Sequence, residues 1–244
     1  RLLTIQNKEI QESYIENLYK KYYSESQTAK SEVWQAELGR VDPSVVDKKI
    51  SKAIGAKNEW VLIGGPPCQA YSLVGRSRTG GINEEDNRVF LYREYLRIIA
   101  QHEPSVFVME NVKGLLSAKV NDQKIFPMML KDLRNPSRPF PSTNARNYKI
   151  YSFVKLPPDD LMGNSEYSRD IDYLIKAEDY GIPQRRHRVI LLGIREDIDI
   201  IPRPLKKQQK NSIEDVIKDL PPVRSGLSRE YIGNGKKRKF RNLE

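Results

Sequence analysis

The sequence predicts an α/β fold, in which β-strands alternate with α-helices. Short apolar runs of strand length recur along the chain, and stretches with helical spacing of apolar residues separate them. With 244 residues and 38% apolar content, the chain is also long enough to bury a sizeable core. These observations together favour helices packed on a sheet.

The chain opens with a helical part. Residues 10–38 are charged and rich in tyrosine, and Tyr14, Leu18 and Tyr22 recur at helical spacing, which predicts a helical surface segment. A second helix is expected over residues 45–54, because Gly55 follows it as a typical C-terminal cap.

A β-α-β unit comes next. Residues 60–64 form an apolar strand, residues 75–87 a loop rich in Gly and Arg, residues 88–101 a helix and residues 106–109 a second strand. Because a helical crossover joins the two strands, we expect them to be parallel.

The remaining elements continue the alternation. A helix is predicted over residues 126–133, a strand-like run over 148–156 and a strand buried on both faces over 189–194. Ser212 and Asp215 read as a capping box that opens a short helix reaching Leu220.

Composition limits the possible partners. Lys and Arg exceed Asp and Glu by ten charges, so the molecule should attract polyanions. No stretch is long and apolar enough to predict a membrane span, and the single cysteine is typical of a reducing cytoplasm. His102 and His187 are the only histidines and lie far apart, so we expect no metal site.

Three segments carry groups suited to chemistry. Cys68 follows the first strand on a turn with two prolines, Glu110 ends the second strand, and Gln184 to Arg188 precede the strand at 189–194. In open α/β sheets such loops meet at one edge, so these groups can converge on one pocket. Each segment alone also fits a structural role, as an inert thiol, a turn cap or a solvated surface.

The residue types favour one kind of reaction. No histidine is placed to act as the base of a Cys/His dyad, which argues against acyl transfer. A thiol can instead add to C6 of a pyrimidine while a carboxyl group hydrogen-bonds N3. Whether Glu110 is protonated is left open, since desolvation would favour the neutral acid and a nearby arginine the carboxylate.

Taken together, the segments resemble the DNA cytosine-5 methyltransferase family. The nucleophile loop of the family is matched by Gly64-Gly65-Pro66-Pro67-Cys68-Gln69-Ala70-Tyr71-Ser72, its cytosine-binding motif by Glu110-Asn111-Val112, and its QxRxR motif by Gln184-x-Arg186-x-Arg188. The three motifs stand in the order of the family.

The resemblance implies a Rossmann-like class I methyltransferase fold, with a mostly parallel sheet flanked by helices. It also implies a reaction, the transfer of a methyl group from S-adenosylmethionine to C5 of a cytosine flipped out of double-stranded DNA. Cys68 would attack C6, and Glu110, Arg186 and Arg188 would be the other catalytic residues. The resemblance assigns substrate binding to Gln69, Ser72, Arg76, Arg78, Asn111 and Gln184, and cofactor binding to Pro67 and Leu91.

Parts of the family pattern are not found. Residues 1–60 contain no glycine-rich Phe-x-Gly-x-Gly cofactor motif, and the long target-recognition region is missing. We therefore expect a portion of a longer enzyme, with a helical surface segment at 1–40, the catalytic domain at 41–222 and the start of a basic target-recognition or linker region at 223–244.

Further expectations accompany this interpretation. They are a monomer in the bacterial cytoplasm that acts on nucleoid DNA, with an associated restriction endonuclease as a possible partner. The alternatives are a non-catalytic DNA-binding or regulatory homologue, supported by the missing cofactor motif, and a tRNA cytosine-5 methyltransferase.

Overall fold

In a computed structural model, the described residues are 8–66, 92–120, 122–157, 167–220, 231–232 and 236–237. The helices are α1 (Lys8–Lys21), α2 (Tyr23–Glu32), α3 (Pro43–Ile54), α4 (Tyr92–His102), α5 (Ile125–Arg134) and α6 (Ile213–Ile217). The strands are β1 (Val61–Gly64), β2 (Val106–Val112), β3 (Lys119–Val120), β4 (Gln123–Lys124), β5 (Tyr148–Ser152), β6 (Leu174–Lys176), β7 (His187–Arg195), β8 (Tyr231–Ile232) and β9 (Lys236–Lys237). Short 3₁₀ helices span Lys113–Ser117, Asp170–Tyr173 and Ala177–Tyr180.

The main sheet has five strands in the order β1-β2-β7-β5, and β6 also pairs with β7. Strands β1 and β2 are parallel, as predicted for the β-α-β unit. The pairs β2–β7, β5–β7 and β6–β7 are antiparallel. The α/β class is thus confirmed, and the sheet is mixed rather than mostly parallel over the described residues.

Connection type explains the mixed sheet. The two parallel strands are joined through α4, the kind of crossover that a parallel pair needs. Strand β7 instead follows β6 after a loop at residues 177–186 and folds back against it. No α-helix crosses over between β6 and β7, so these two strands pair in the antiparallel direction.

One face of the sheet is buried under α4 and α5. Phe107 and Met109 of β2 and Leu191 of β7 lie in this core with almost no exposed surface. They pack against a set of apolar helix residues: Leu96 and Ile99 of α4, and Phe126, Met129 and Leu133 of α5. The amphipathic spacing of α4 and α5 therefore buries the sheet from one side.

Two glycines allow aromatic rings to lie directly on the sheet. A Cβ atom at Gly64 would fall 2.5 Å from the Tyr95 ring, and one at Gly193 would overlap the Phe107 ring. The hydroxyl of Tyr95 donates between two strands, to the carbonyl oxygens of Leu62 and Val108. These close approaches require glycine for space, not for an unusual backbone angle.

Most predicted elements are found, with changes at their ends. Strand β2 continues past Met109 to Val112, so Glu110 projects from within the strand and does not end it. The capping box of Ser212 and Asp215 is present, but α6 ends at Ile217, before Leu220. At the start of the chain, α1 and α2 cover most of the predicted helical segment, and α2 has no buried residue.

Helices α3 and α4 are joined at the edge of the sheet where β1 and β2 begin. Asp47 of α3 accepts hydrogen bonds from Arg97 Nη1 at 2.9 Å and lies 3.0 Å from His102 Nε2. Burial raises the pKa of Asp47, but the bonds from His102 and Arg97 outweigh it, and the net pKa lies below the ordinary value. Asp47 is thus held as a carboxylate between two helices.

Candidate active site

Glu110 and Arg188 meet at the edge of the sheet where β1 and β2 end. Because β7 runs antiparallel to β2, its first residues lie at this same edge. Glu110 is opposite Ile190 and Arg188 is opposite Val112, so the two side chains are diagonal neighbours on one face. Arg188 Nε lies 2.6 Å from Glu110 Oε1.

The environment of this pair is partly open to solvent. The side chain of Glu110 is 44% exposed and that of Arg188 is 24% exposed. Desolvation of the Glu110 carboxyl, expected from its apolar strand, is therefore only partial. The buried Nε of Arg188 makes no aligned hydrogen bond with the described residues, so the attraction between the two charges holds them together. Arg188 Nη1 donates to the carbonyl oxygen of His187 at 2.8 Å.

Glu110 also lies over the residues that lead to the cysteine loop. A Cβ atom at Gly65 would be 3.2 Å from Glu110 Oε2, tighter than ordinary van der Waals contact. Glycine at this position thus lets the carboxyl approach the backbone that continues from Gly65 and Pro66 towards Cys68.

Asn111 connects the same two segments from the buried side of β2. It is 3% exposed, and its Nδ2 donates to the carbonyl oxygen of Pro66 at 3.4 Å. Its Oδ1 accepts from the backbone N–H of Val112 at 2.9 Å. The amide therefore links the end of β2 to the backbone just after β1.

The loop before β7 carries Gln184 and Arg186. Both side chains are exposed, and the backbone N–H of Arg186 donates to the carbonyl oxygen of Gln184 at 2.9 Å. In the described part of the chain Arg186 forms no ion pair with Glu110, unlike Arg188. The structure thus brings one of the two predicted arginines to the glutamate.

Seven predicted site residues lie outside the described residues. They are Cys68, Gln69, Ser72, Arg76, Arg78, Pro67 and Leu91. Their roles stay predictions, and the geometry available for the site is that of Glu110, Asn111, Gln184, Arg186, Arg188 and the backbone at Gly65 and Pro66.

Two residues near the site were missed by sequence reasoning. His187 Nε2 lies 2.8 Å from Glu178 Oε1, and the hydrogen bond with His187 lowers the pKa of Glu178. In the sequence, His187 is considered only as a metal ligand or as the base of a Cys/His dyad. The partner on a separate 3₁₀ helix, Ala177–Tyr180, has no sequence signature.

A strap of residues 205–211 lies along the loop that precedes β7. The N–H of Gln208 donates to the carbonyl oxygen of Asp179 at 3.0 Å, and Lys210 Nζ lies 3.2 Å from Asp179 Oδ1. Asn211 Nδ2 donates to the carbonyl oxygen of Gly181 at 2.7 Å. Gly181 has a φ of +80°, which favours glycine at this turn.

The described residues form at most one wall of a site for S-adenosylmethionine. At the end of β1, Ile63 is 77% exposed and is followed by Gly64 and Gly65. A class I site also needs a glycine-rich turn and an acidic residue for the ribose, and the described ranges contain no glycine-rich motif of that kind. These residues alone do not fit the whole cofactor.

The described residues contain no group of three or more His, Cys, Asp or Glu side chains arranged to hold a metal ion. None of their helices has the length and apolar character needed to cross a membrane.

Comparison with known proteins links these motifs to a family. The model of the C-5 cytosine-specific DNA methylases matches residues 6–136 and 161–243. The type II methyltransferase M.Bpa9945I of Bacillus paralicheniformis is 34% identical over 67% of this chain and 33% of its own length. M.BbvI of Brevibacillus brevis is 32% identical over 71% of this chain and 38% of its own length.

Among solved structures, the methyltransferase EhMeth of Entamoeba histolytica is similar to this chain, with 17% sequence identity and a TM-score of 0.42. The alignment covers 75% of this chain and 45% of the EhMeth chain. The chain spans about a third of the length of the two curated relatives. The family model, in contrast, covers most of the chain, including Glu110 and the segment that carries Arg188. The chain belongs to the family of C-5 cytosine-specific DNA methylases.

Proposed function

We propose that this chain provides the cytosine-binding part of an enzyme that methylates C5 of a flipped-out cytosine in double-stranded DNA through a covalent bond between Cys68 and C6. The single observation that supports this most strongly is the contact of Glu110 with Arg188 beside Gly65, at the entrance to the Cys68 loop. A carboxyl group and a guanidinium at this place can hold the N3 side and the O2 of a pyrimidine.

In this mechanism the Cys68 thiolate adds to C6, and Glu110 at N3 stabilises the negative charge that moves into the ring. Carbon C5 thereby becomes nucleophilic. After methylation, loss of the C5 proton lets the C6–sulfur bond break and restores the aromatic ring. Arg188 keeps the Glu110 carboxyl in place, and the exposed Arg186 and Gln184 are available to the nucleic acid.

S-adenosylmethionine would supply the methyl group as an electrophilic sulfonium methyl. Pro67 and Leu91 are the residues of this chain that we assign to it. The rest of the cofactor site is assigned to other parts of the full-length protein.

The proposal includes the expected setting of the enzyme. We infer a monomer that acts on DNA in the cytoplasm, a helical surface segment at residues 1–40, a catalytic domain at 41–222 and a basic target-recognition or linker region from 223. A restriction endonuclease that cuts the same DNA is the partner we infer from the type II names of the relatives.

A trapping experiment tests the proposal. The full-length protein is incubated with S-adenosylmethionine and a duplex containing 5-fluorocytosine, whose fluorine cannot leave as a proton does. A denaturation-resistant protein–DNA adduct is expected for the wild type and none for Cys68→Ser. Absence of an adduct with the wild type, or an equal yield from Cys68→Ser, would overturn the mechanism.

A parallel assay with tritiated cofactor identifies the substrate. Label in ordinary duplex DNA is expected, and label found only in transfer RNA would replace DNA with RNA as the substrate. The Cys68→Ser variant should still bind the duplex, because its charge and the Arg188 pair are unchanged.

A further inference from the structure

We propose that Glu178 and His187 form a positioning pair that holds Arg188 against Glu110. The inference rests on the proposed function only for its catalytic consequence. The physical connection runs from Glu178 through His187 and Arg188 to Glu110, and each link is a contact between described residues.

The first link ties His187 to a separate element. His187 Nε2 lies 2.8 Å from Glu178 Oε1, and the two side chains are 28% and 19% exposed. Oε2 of Glu178 is buried and has no hydrogen-bond partner among the described residues. Because a buried carboxylate oxygen without a partner is costly, Oε2 does not stabilise this orientation, and the contact of Oε1 with His187 is the side-chain hydrogen bond that holds Glu178 here.

The second link passes from the His187 backbone to the Arg188 side chain. Adjacent residues of a strand point to opposite faces, so the His187 ring and the Arg188 guanidinium lie on different sides of β7. Arg188 nevertheless returns to the strand, because its Nη1 donates to the His187 carbonyl oxygen at 2.8 Å. The position of that carbonyl therefore sets the direction of the guanidinium.

The third link is the contact at the site itself. Arg188 Nε lies 2.6 Å from Glu110 Oε1 but is not aligned as a hydrogen bond, so the pair depends on position more than on a directional bond. A shift of the His187 carbonyl would move Arg188 directly. The N–H of Ala177 also donates to the Arg186 carbonyl oxygen at 3.1 Å, which joins the helix of Glu178 to the same turn.

Paired variants of the full-length protein test the inference. His187→Ala and Glu178→Ala remove the contact, and His187→Gln keeps a side-chain N–H that can reach Glu178. Asp179→Ala is the matched control, since Asp179 is next to Glu178 in the same 3₁₀ helix but pairs with Lys210. Circular dichroism checks that each variant is folded.

The first measurement is hydrogen exchange of peptides covering residues 184–190. We expect His187→Ala and Glu178→Ala each to raise the exchange rate about fivefold or more. The variant that carries both changes should exchange little faster than either single variant, because both changes remove the same contact. Asp179→Ala should change the rate less than twofold. His187→Gln should restore most of the protection. Unchanged exchange in both alanine variants would overturn the inference, whether or not the protein methylates DNA.

The second measurement separates positioning from general stability. We expect kcat for DNA methylation to fall about tenfold in both alanine variants while KM for DNA changes less than threefold, with partial recovery in His187→Gln. Faster exchange with unchanged kcat would overturn the positioning role. If the wild type does not methylate DNA at all, the proposed function fails, and the exchange result alone decides whether the pair holds Arg188.

If either alanine variant does not fold, Glu178→Gln replaces it. This change removes the charge but keeps an oxygen that can accept from His187 Nε2, so we expect it to raise the exchange rate by more than Asp179→Ala does and by less than about fivefold. An effect equal to that of Asp179→Ala would contradict the inference.

Discussion

Glu110 is placed by three neighbours of different kinds. Arg188 attracts its carboxyl from β7, Gly65 leaves room for the carboxyl beside β1, and the pairing of β2 with β7 fixes its backbone. Through the family resemblance, the motif letters predicted that Glu110, Arg186 and Arg188 belong to one catalytic site. They gave no indication of His187 and Glu178, because that contact joins two elements whose spacing is not a recognised pattern.

Replacement of Glu110 by Gln should mainly reduce the rate of methyl transfer. The amide keeps the shape of the side chain but loses the charge that Arg188 attracts and the ability to exchange a proton with the ring. Groups with such a role contribute about 10²–10⁴ in rate, so we expect a fall in kcat of that order. Single-turnover kinetics with saturating DNA measure it, and a variant within threefold of wild type would contradict the role of Glu110.

Replacement of Gly65 by Ala should affect activity more than stability. The new Cβ would lie 3.2 Å from Glu110 Oε2, and the flexible carboxyl can move away by a few tenths of an ångström. We expect kcat to fall about tenfold with a thermal midpoint within about 2 °C of wild type, because catalysis tolerates small misplacements poorly. Differential scanning fluorimetry and methyl-transfer assays on the same preparation test this contrast.

At the scale of elements, the sequence predicted which segments are strands and helices better than how they pair. Strand β1 and helices α3, α4 and α5 were expected from apolar spacing and caps. The sequence did not predict that β2 extends through Glu110 and Asn111. These residues have low strand propensity, and pairing with β7 places them in the strand. The direction of β7 was also not predictable, since a buried apolar run reads the same in either orientation.

Gly193→Ala should test the packing of β7 on β2. A Cβ atom there would overlap the Phe107 ring, which is fully buried and also contacts Tyr148 at a centroid distance of 5.2 Å. Overpacking of this kind costs about 1–3 kcal/mol or more. Urea unfolding should show a loss of that size, whereas Gly65→Ala, directly after β1 of the same sheet, serves as the control that is nearly neutral for stability.

The contact between α3 and α4 should make stability depend on pH. The pKa of Asp47 is lowered in the folded state, so its contribution is present above the ordinary value of 3.8 and is lost as the pH falls through the lowered folded value. We expect Asp47→Asn to reduce the free energy of unfolding by about 1–3 kcal/mol at pH 7.

The difference between wild type and Asp47→Asn should shrink when both are unfolded in urea near pH 3. Asp199→Asn is the control, because Asp199 is exposed. An equal difference at both pH values would show that the Asp47 carboxylate does not carry the effect.

For the whole molecule, charge is the property that the sequence predicts most directly. The net charge is +10, and exposed basic side chains next to the ends of β2 and β7 that carry the site include Lys113, Arg185 and Arg186. We expect the affinity of the full-length protein for duplex DNA to fall about tenfold or more between 50 and 200 mM salt. Fluorescence anisotropy with a labelled duplex measures this, and an affinity independent of salt would exclude phosphate contacts as its main source.

The pairing of β2 with β7 ties assembly of the site to folding of the sheet. Glu110 and Arg188 share a face only in the observed register, and a slip by one residue would send one of them to the opposite side. The two residues lie 78 positions apart in the chain, so this closure is a long-range event that local contacts cannot make early. During refolding, binding of cytosine should therefore return only when the central strands have closed in the correct alignment, after the local helices have formed.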